Sequence, residues 1–281
     1  MEHFCIIANS DKENAGRVTE HIREFLLRSG KHCVVTENRP KSPGHYTNVH
    51  EVPADAECVI VVGGDGTLIQ AAVDLKDRDV MLVGVNLGTL GFLTEVEEQG
   101  MDAALRRLLQ DDFLVERRMM MKGTVECLDG SSYHEYSLND IIISRSGFCG
   151  MILVKVYLNG DLIDTFDGDG VIVCTPTGST GYNLSAGGPV MAPQSRMFTI
   201  TPICPHSLNK RSFVVSAQDE VTLEMCRRKE GDEAVLSFDG RLKKEILVGE
   251  RVHIEIAKQE TKLIRLTDLS FFDILRSKLN K

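Results

Sequence analysis

A single carboxylate, Asp65, stands among three glycines in the run Val59-Ile60-Val61-Val62-Gly63-Gly64-Asp65-Gly66-Thr67-Leu68. Four β-branched apolar residues lead into it, as in a strand buried on both faces. Thr67 can then cap a helix whose apolar positions include Leu68, Ile69, Ala71 and Ala72. A strand, a glycine turn and a helix start make an anion site: glycine lets backbone approach a phosphate, and a helix N-terminus offers unpaired N–H groups. Phosphates repel a carboxylate, so Asp65 needs a role there. It can bind a metal ion or take a proton from a hydroxyl that attacks phosphorus. The simpler alternative is a tight turn with Asp65 as a helix cap.

A second stretch carries a different chemistry. Residues 167–189 read DGDGVIVCTPTGSTGYNLSAGGP. Thr177, Ser179 and Thr180 offer hydroxyls, and Gly178 permits close approach to a phosphate or ribose. Tyr182 presents a stacking face, and Asn183 and Ser185 can hydrogen-bond a nucleotide. Upstream, Asn139-Asp140 precede Ile141-Ile142-Ile143. An amide beside a carboxylate can read a purine amino group and ring nitrogen, or a ribose hydroxyl. Two common nucleotide signatures are missing: there is no Gly-x-x-x-x-Gly-Lys-Ser/Thr, and no Gly-x-Gly-x-x-Gly follows the first strand. The protein-kinase set is missing as well.

The elements that must position these groups fall into two regimes. Residues 4–8 read as a strand, 12–28 as a helix, 32–36 as a strand and 38–57 as loop. The strand into Gly63 and its helix follow. Then come a strand over 80–85, the loop Gly88-Thr89-Leu90-Gly91-Phe92, and a helix over about 97–110. Alternating strands and helices imply a parallel sheet, whose ligands sit at the carboxyl ends of its strands. From residue 113 to about 266 no long helix is evident. Short alternating runs dominate, such as 124–128, 154–158, 221–225 and 252–256. Leu158-Asn159-Gly160-Asp161 signals a hairpin, because Asn-Gly accepts the positive φ of a type I′ turn. Helical spacing returns over 269–279. The expected fold is therefore α/β + all-β: a Rossmann-like parallel-sheet domain, then a β-sandwich.

Composition narrows the function classes. A chain of 281 residues with 42% hydrophobic and 26% charged residues is ordinary for a soluble globular protein. A net charge of −9 argues against a general nucleic-acid or membrane-surface binder. The eight cysteines form no Cys-x-x-Cys pair, and the eight histidines show no ligand spacing with them. Reduced thiols in a cytoplasmic protein follow, without a zinc site. The N-terminal apolar run is too short for a signal peptide, and no run reaches the roughly 20 apolar residues of a membrane helix.

Together the Gly-Gly-Asp-Gly loop and the Asp-Gly, Thr-Pro-Thr-Gly-Ser-Thr, Tyr-Asn block resemble the NAD kinase family, in order, over nearly the whole chain. The resemblance implies an α/β domain over 1–112 plus about 267–281, with the last helix returning to it, and an all-β domain over 113–266. It implies phosphoryl transfer from ATP, or from polyphosphate, to the 2′-hydroxyl of the adenosine ribose of NAD, with Mg²⁺ on the donor phosphates and no metal ligand assigned to the chain. Asp65 becomes the catalytic base. Gly63, Gly64, Gly66 and Thr67 form the donor-phosphate loop. Asp65, Gly66, Phe92, Asn139, Asp140, Asp169, Thr177, Thr180, Gly181, Tyr182, Asn183, Leu184 and Ser185 form the NAD set. Ser237-Phe238-Asp239-Gly240-Arg241 resembles the family's late Asp-Gly-Gln segment, with Arg241 where relatives often carry Gln. Asp167 stands where they often carry Arg. His206 also matches, in a structural role. A homodimer or homotetramer is expected because the family assembles.

Three rival readings share parts of the pattern. A diacylglycerol- or sphingosine-type lipid kinase shares the first loop but has no use for the 175–185 block. A phosphofructokinase-type sugar-phosphate kinase shares the loop without a long β domain. A non-catalytic NAD(P) sensor would bind dinucleotide without turnover, and the retained Asp65 argues against it.

Overall fold

The apolar run 58–63 is buried from end to end, and the first part of the chain is arranged around it. The structure, a computed structural model, describes residues 1–88, 91–147, 150–206, 211–227 and 233–279. The chain divides into two compact units, residues 1–118 with 260–281, and residues 119–259.

In chain order the first unit holds β1 (His3–Ala8), α1 (Ala15–Arg28), β2 (His32–Glu37), β3 (Cys58–Gly63), α2 (Asp65–Asp74), β4 (Met81–Asn86), β5 (Thr94–Val96) and α3 (Met101–Leu109). β6 (Leu114–Glu126) leads out of it. The second unit holds β7 (Ser132–Ser137), β8 (Asp140–Arg145), β9 (Ile152–Leu158), β10 (Asp161–Gly168), β11 (Gly170–Cys174), α4 (Tyr182–Ser185), β12 (Met197–Ile203), β13 (Phe213–Ser216), β14 (Val221–Cys226), β15 (Ala234–Phe238) and β16 (Leu242–Ile246). β17 (Arg251–Arg265) leads back, and α5 (Phe271–Leu279) follows in the first unit.

The first sheet runs β2-β1-β3-β4, all parallel. β5 and the last residues of β17 also run parallel to β4. Parallel neighbours need crossover connections, and the helices supply them. Phe4, Ile6, Ile60 and Val62 pack with Val18, Ile22 and Leu26 of α1 and with Leu105 and Leu108 of α3. α1 begins three residues later than its apolar spacing predicts, because Asn14 takes a left-handed conformation (φ 64°) that no helix continues. The predicted helix over 97–110 is shorter too: a 3-10 turn, Glu98–Gly100, precedes α3. Within the predicted loop 38–57 the buried Asp74 carboxylate takes the N–H groups of Tyr46 (2.9 Å) and Thr47 (2.8 Å) and pairs with His45 (2.8 Å).

The second unit is a β-sandwich. One antiparallel sheet runs β13-β12-β11-β8-β15-β16. The other runs β10-β9-β14-β17, with β6 pairing β7 and β17. Alternate residues turn inward along β9, the period-2 signature of a half-buried strand. Ile141, Ile143, Val171, Val173 and Phe238 meet Val154, Val156, Leu223 and Ile254 in one core. The β9–β10 hairpin turns on Asn159 (φ 50°) and Gly160 (φ 89°), as a type I′ turn demands. The sequence draws boundaries at 112/113 and 266/267, whereas the units divide at 118/119 and 259/260. β6 and β17 run unbroken through those points, so no change of pattern marks them. Among the described residues no helix is long and apolar enough to cross a membrane.

Candidate functional site

In the first unit the chain leaves β3 and turns at once into α2. Gly63 must be glycine, because a Cβ there would meet Thr67 Oγ1 at 2.5 Å. Gly64, extended at φ −127° and ψ −175°, is the N-cap, and α2 starts at Asp65. The sequence assigned the cap to Thr67. Instead Thr67 lies in the first turn, where its hydroxyl accepts a 3.0 Å bond from Asn9 Nδ2 at the carboxyl end of β1. With glycine as the cap, no side chain caps the helix N-terminus by a hydrogen bond among the described residues. That suits close approach by an anion. The exposed Gly66 has no atom within 4 Å of its would-be Cβ.

The Asp65 carboxylate is held by the loop before β5. Oδ1 accepts from Leu93 N (3.2 Å), Thr94 N (2.9 Å) and Thr94 Oγ1 (2.8 Å). Among the described residues Oδ2 accepts from Phe92 N alone, at 2.7 Å. A carboxylate oxygen has about two acceptor sites, so Oδ1 is filled and Oδ2 retains one. The carboxylate lies so close to the loop that a Cβ at Gly91 would fall 1.8 Å from Oδ1. Thr89 and Leu90 of the predicted second loop lie outside the described residues. Leu87 and Gly88 line a cavity of about 290 Å³ with Asn14, Asn86 and Glu97. It opens at the carboxyl ends of the strands, where parallel sheets receive ligands.

In the second unit the organising group is another aspartate. Asp239 occupies the β15–β16 turn with φ 51°. Its carboxylate accepts three consecutive backbone N–H groups, from Leu138 (2.8 Å), Asn139 (2.8 Å) and Asp140 (2.9 Å). From the opposite direction Thr175 donates its hydroxyl to Leu138 O (2.6 Å) and its N–H to Asn139 O (2.9 Å). Gly178 then lies directly on Asn139, since a Cβ there would meet Asn139 O at 2.2 Å. Gly181 faces Asn139 Nδ2 across 3.8 Å from its would-be Cβ. Asn139 and Asp140 are thus fixed through their backbone. Burial, reinforced by the Asp239 charge, pushes the Asp140 carboxyl up to about 7. Burial likewise raises Asp239, opposed by its three backbone donors and by Arg241.

Asp169 pairs with Arg145 Nε at 2.7 Å. Tyr182 is 45% exposed. Partial burial raises its hydroxyl, Cys204 and Asp169 add to the rise, and Arg145 opposes it. The other predicted residues divide. Thr177 is buried, and Thr180 at the edge reaches Thr177 O at 3.5 Å. Asn183 turns fully inward: its amide donates to Ser179 O (3.1 Å) and Pro189 O (3.0 Å) and accepts from Thr201 (2.7 Å). Leu184 is half-buried and Ser185 exposed on α4.

Sequence reasoning missed three contributors, Asn9, Thr94 and Arg145, and named Gly91 only as part of the second glycine loop. Arg145 carried no signal, because its partner lies 24 residues away.

No three His, Cys, Asp or Glu side chains gather as a metal cage among the described residues. With Oδ1 filled, Asp65 offers a cation at most one oxygen. Such a donor set suits a Mg²⁺ ion that arrives on substrate phosphates and keeps its waters.

A parallel sheet with a glycine turn and a glycine-capped helix at its carboxyl edge places the first unit in the class of nucleotide-binding α/β domains. Comparison with known proteins is specific. Residues 4–113 match the ATP-NAD kinase N-terminal domain, and residues 138–266 match the ATP-NAD kinase C-terminal domain. The NAD kinase of Lachnoclostridium phytofermentans is 46% identical over 99% of both chains. That of Caldanaerobacter subterraneus is 35% identical over the full length of both. Among solved structures, an NAD kinase from Archaeoglobus fulgidus in complex with ATP has a TM-score of 0.77 and 25% identity, over 100% of this chain and 99% of that one. Yeast NADH kinase complexed with NADH has a TM-score of 0.87 over 99% and 88%, and its 18% identity speaks for the fold. The chain belongs to the NAD kinase family and is an enzyme.

Proposed function

We propose that the enzyme transfers the γ-phosphoryl group of ATP to the 2′-hydroxyl of the adenosine ribose of NAD, giving NADP and ADP. The observation that carries this reading is the Asp65 carboxylate, gripped through Oδ1 and open at Oδ2 inside a glycine loop. A base must be oriented before it can be strong, and four donors prevent this carboxylate from rotating away.

The 2′-hydroxyl donates to Asp65 Oδ2. As the 2′-oxygen bonds to the γ-phosphorus, the bond from phosphorus to the β,γ-bridging oxygen breaks and the proton passes to Oδ2. An aspartate serves here because the hydroxyl acidifies only as its new bond forms. Gly63, Gly64 and Gly66 present backbone N–H groups to the donor phosphates, with Thr67 supporting the turn. Mg²⁺ on those phosphates offsets their charge when bound. Phe92, Asn139, Asp140, Asp169, Thr177, Thr180, Gly181 and Tyr182 bind NAD, Asp140 as an acceptor for an amino or hydroxyl group. Leu184 and Ser185 stay in the proposed NAD set, and Asn183, called with them, holds the loop that carries Tyr182.

ATP is the donor proposed, in keeping with the ATP complex of the Archaeoglobus fulgidus relative. The lipid-kinase alternative gains nothing from the comparisons, since both matching domains are ATP-NAD kinase domains. A homodimer or homotetramer in the cytoplasm completes the reading. The cytoplasmic part of that reading accords with the seven described cysteines, all free.

The test is a coupled assay. Purified protein with NAD, ATP and Mg²⁺ should yield a product that a strictly NADP-dependent dehydrogenase detects, with polyphosphate tried as donor in parallel. Calorimetric binding of NAD without product would leave a sensor in place of an enzyme.

A further inference from the structure

The loop that grips Asp65 is itself gripped by the last helix. α5 starts in a capping box: Ser270 Oγ donates to Asp273 Oδ2 (2.6 Å), and the backbone N–H of each residue bonds the other's side chain, at 3.0 and 3.1 Å. Just before it, Leu266 N and Thr267 Oγ1 donate to Glu95, the latter at 2.8 Å. Glu95 is buried and paired with Arg265 at 3.0 Å. The helix that follows lays Phe271 against Phe92, with ring centroids 6.0 Å apart. At the penultimate residue of the helix, Lys278 Nζ stands 5.0 Å from the Phe92 centroid. Ile274 between them is buried.

Residues 92–95 therefore work in two directions. Their backbone N–H groups at Phe92, Leu93 and Thr94 face Asp65. Their side chains at Phe92 and Glu95 face the end of the chain. The bond that matters most is from Phe92 N to Oδ2, because Oδ2 has no other donor among the described residues. We propose that Phe271 and Lys278 are positioning residues for Asp65, acting through Phe92. Tethering the ring restrains the Phe92 backbone, and that backbone aims the one N–H that sets Oδ2. With the tether removed the loop samples other conformations, and Oδ2 spends less time in the productive orientation. The kinetic part of this inference rests on the reading of Asp65 as the base.

The test is a pair of double-mutant cycles with a structural readout. Phe271→Ala should lower kcat about fivefold to tenfold, the scale of one aromatic contact, and, because Phe92 also belongs to the proposed NAD set, KM for NAD should rise by a smaller factor. Lys278→Ala, at a half-buried position, should lower kcat about threefold. In an Asp65→Asn background, followed over long incubations, neither change should lower the residual rate further. Amide exchange at Phe92, Leu93 and Thr94 should quicken in both variants while exchange in β1 and β3 stays as in the wild type. Equal fold-losses with and without Asp65 would overturn the proposal, as would unchanged exchange at these three amides. Should Phe271→Ala fail to fold, Lys278→Ala decides alone by the same criteria. If the wild-type protein forms no NADP, the proposed reaction fails, and the exchange measurement still decides whether α5 sets the loop.

Discussion

Gly91→Ala should dislodge Asp65. A Cβ at residue 91 would lie 1.8 Å from Asp65 Oδ1, 2.5 Å from its Cγ and 2.5 Å from Thr94 Oγ1. Ordinary contact starts at 3.4 Å, so the carboxylate or the loop must retreat by 3.4 − 1.8 = 1.6 Å. The three bonds to Oδ1, at 3.2, 2.9 and 2.8 Å, cannot survive such a shift. At about 1 kcal/mol net for each, less about 0.5 kcal/mol gained from the stiffer unfolded chain, the loss is about 2–3 kcal/mol. A melting temperature lower by about 5 °C follows for a chain of this size. Misplacement of the base by more than about 1 Å should cost about 10²-fold in turnover. Gly16→Ala is the control, since no atom lies within 4 Å of its would-be Cβ. Melting curves and the coupled NADP assay on both variants measure the two effects. If Gly91→Ala melts and turns over like the wild type, the Asp65 clamp does not exist as described.

Gly66→Ala should raise thermal stability slightly, by about 0.5 kcal/mol for a helical glycine, yet lower turnover and raise KM for ATP. Unchanged ATP kinetics would remove Gly66 from the donor loop. Asp239→Asn replaces an acceptor oxygen that faces backbone donors with an amide that opposes them. KM for NAD should rise about tenfold or more, the scale of one or two such bonds, with KM for ATP unaffected; equal changes in both would mean general damage. Asp140, raised to about 7 when folded against about 3.9 unfolded, contributes stability that is full below about pH 4. That contribution fades as pH climbs through about 7, because the folded protein holds a proton that the unfolded chain has released. Melting temperature should therefore fall across this window in the wild type and less steeply in Asp140→Asn, with the Asp239 contribution common to both.

The parallel sheet was legible because its strands are nearly pure apolar runs, as at 58–63 and 81–86, separated by periodic helices. The β-sandwich was legible from what it lacks, a long helix, and from the Asn159-Gly160 turn. Boundaries were less so: Asn14 stops α1 through a backbone conformation that residue type only permits. At the site, residue types exposed the acceptors and the glycines but not their partners. Asp239 read as a turn residue, and only its contacts with residues a hundred positions earlier reveal it as the anchor of Asn139 and Asp140. Asn183 looked like a ligand group because amides often are, and the fold spends it on Ser179, Pro189 and Thr201 instead. The Thr67 cap failed because glycine at position 64 already closes the helix start.

The most direct measurement is NADP formation by Asp65→Asn beside the wild type, with NAD, ATP and Mg²⁺, read through an NADP-dependent dehydrogenase. Asparagine removes the charge and sets an N–H₂ donor or a carbonyl against Phe92 N, so the clamp loses either its open acceptor or a bond. Turnover should fall by at least about 10²-fold, the usual scale for a lost general base, while calorimetry shows NAD affinity nearly kept. Wild-type turnover in Asp65→Asn would contradict the assignment of Asp65 as the base.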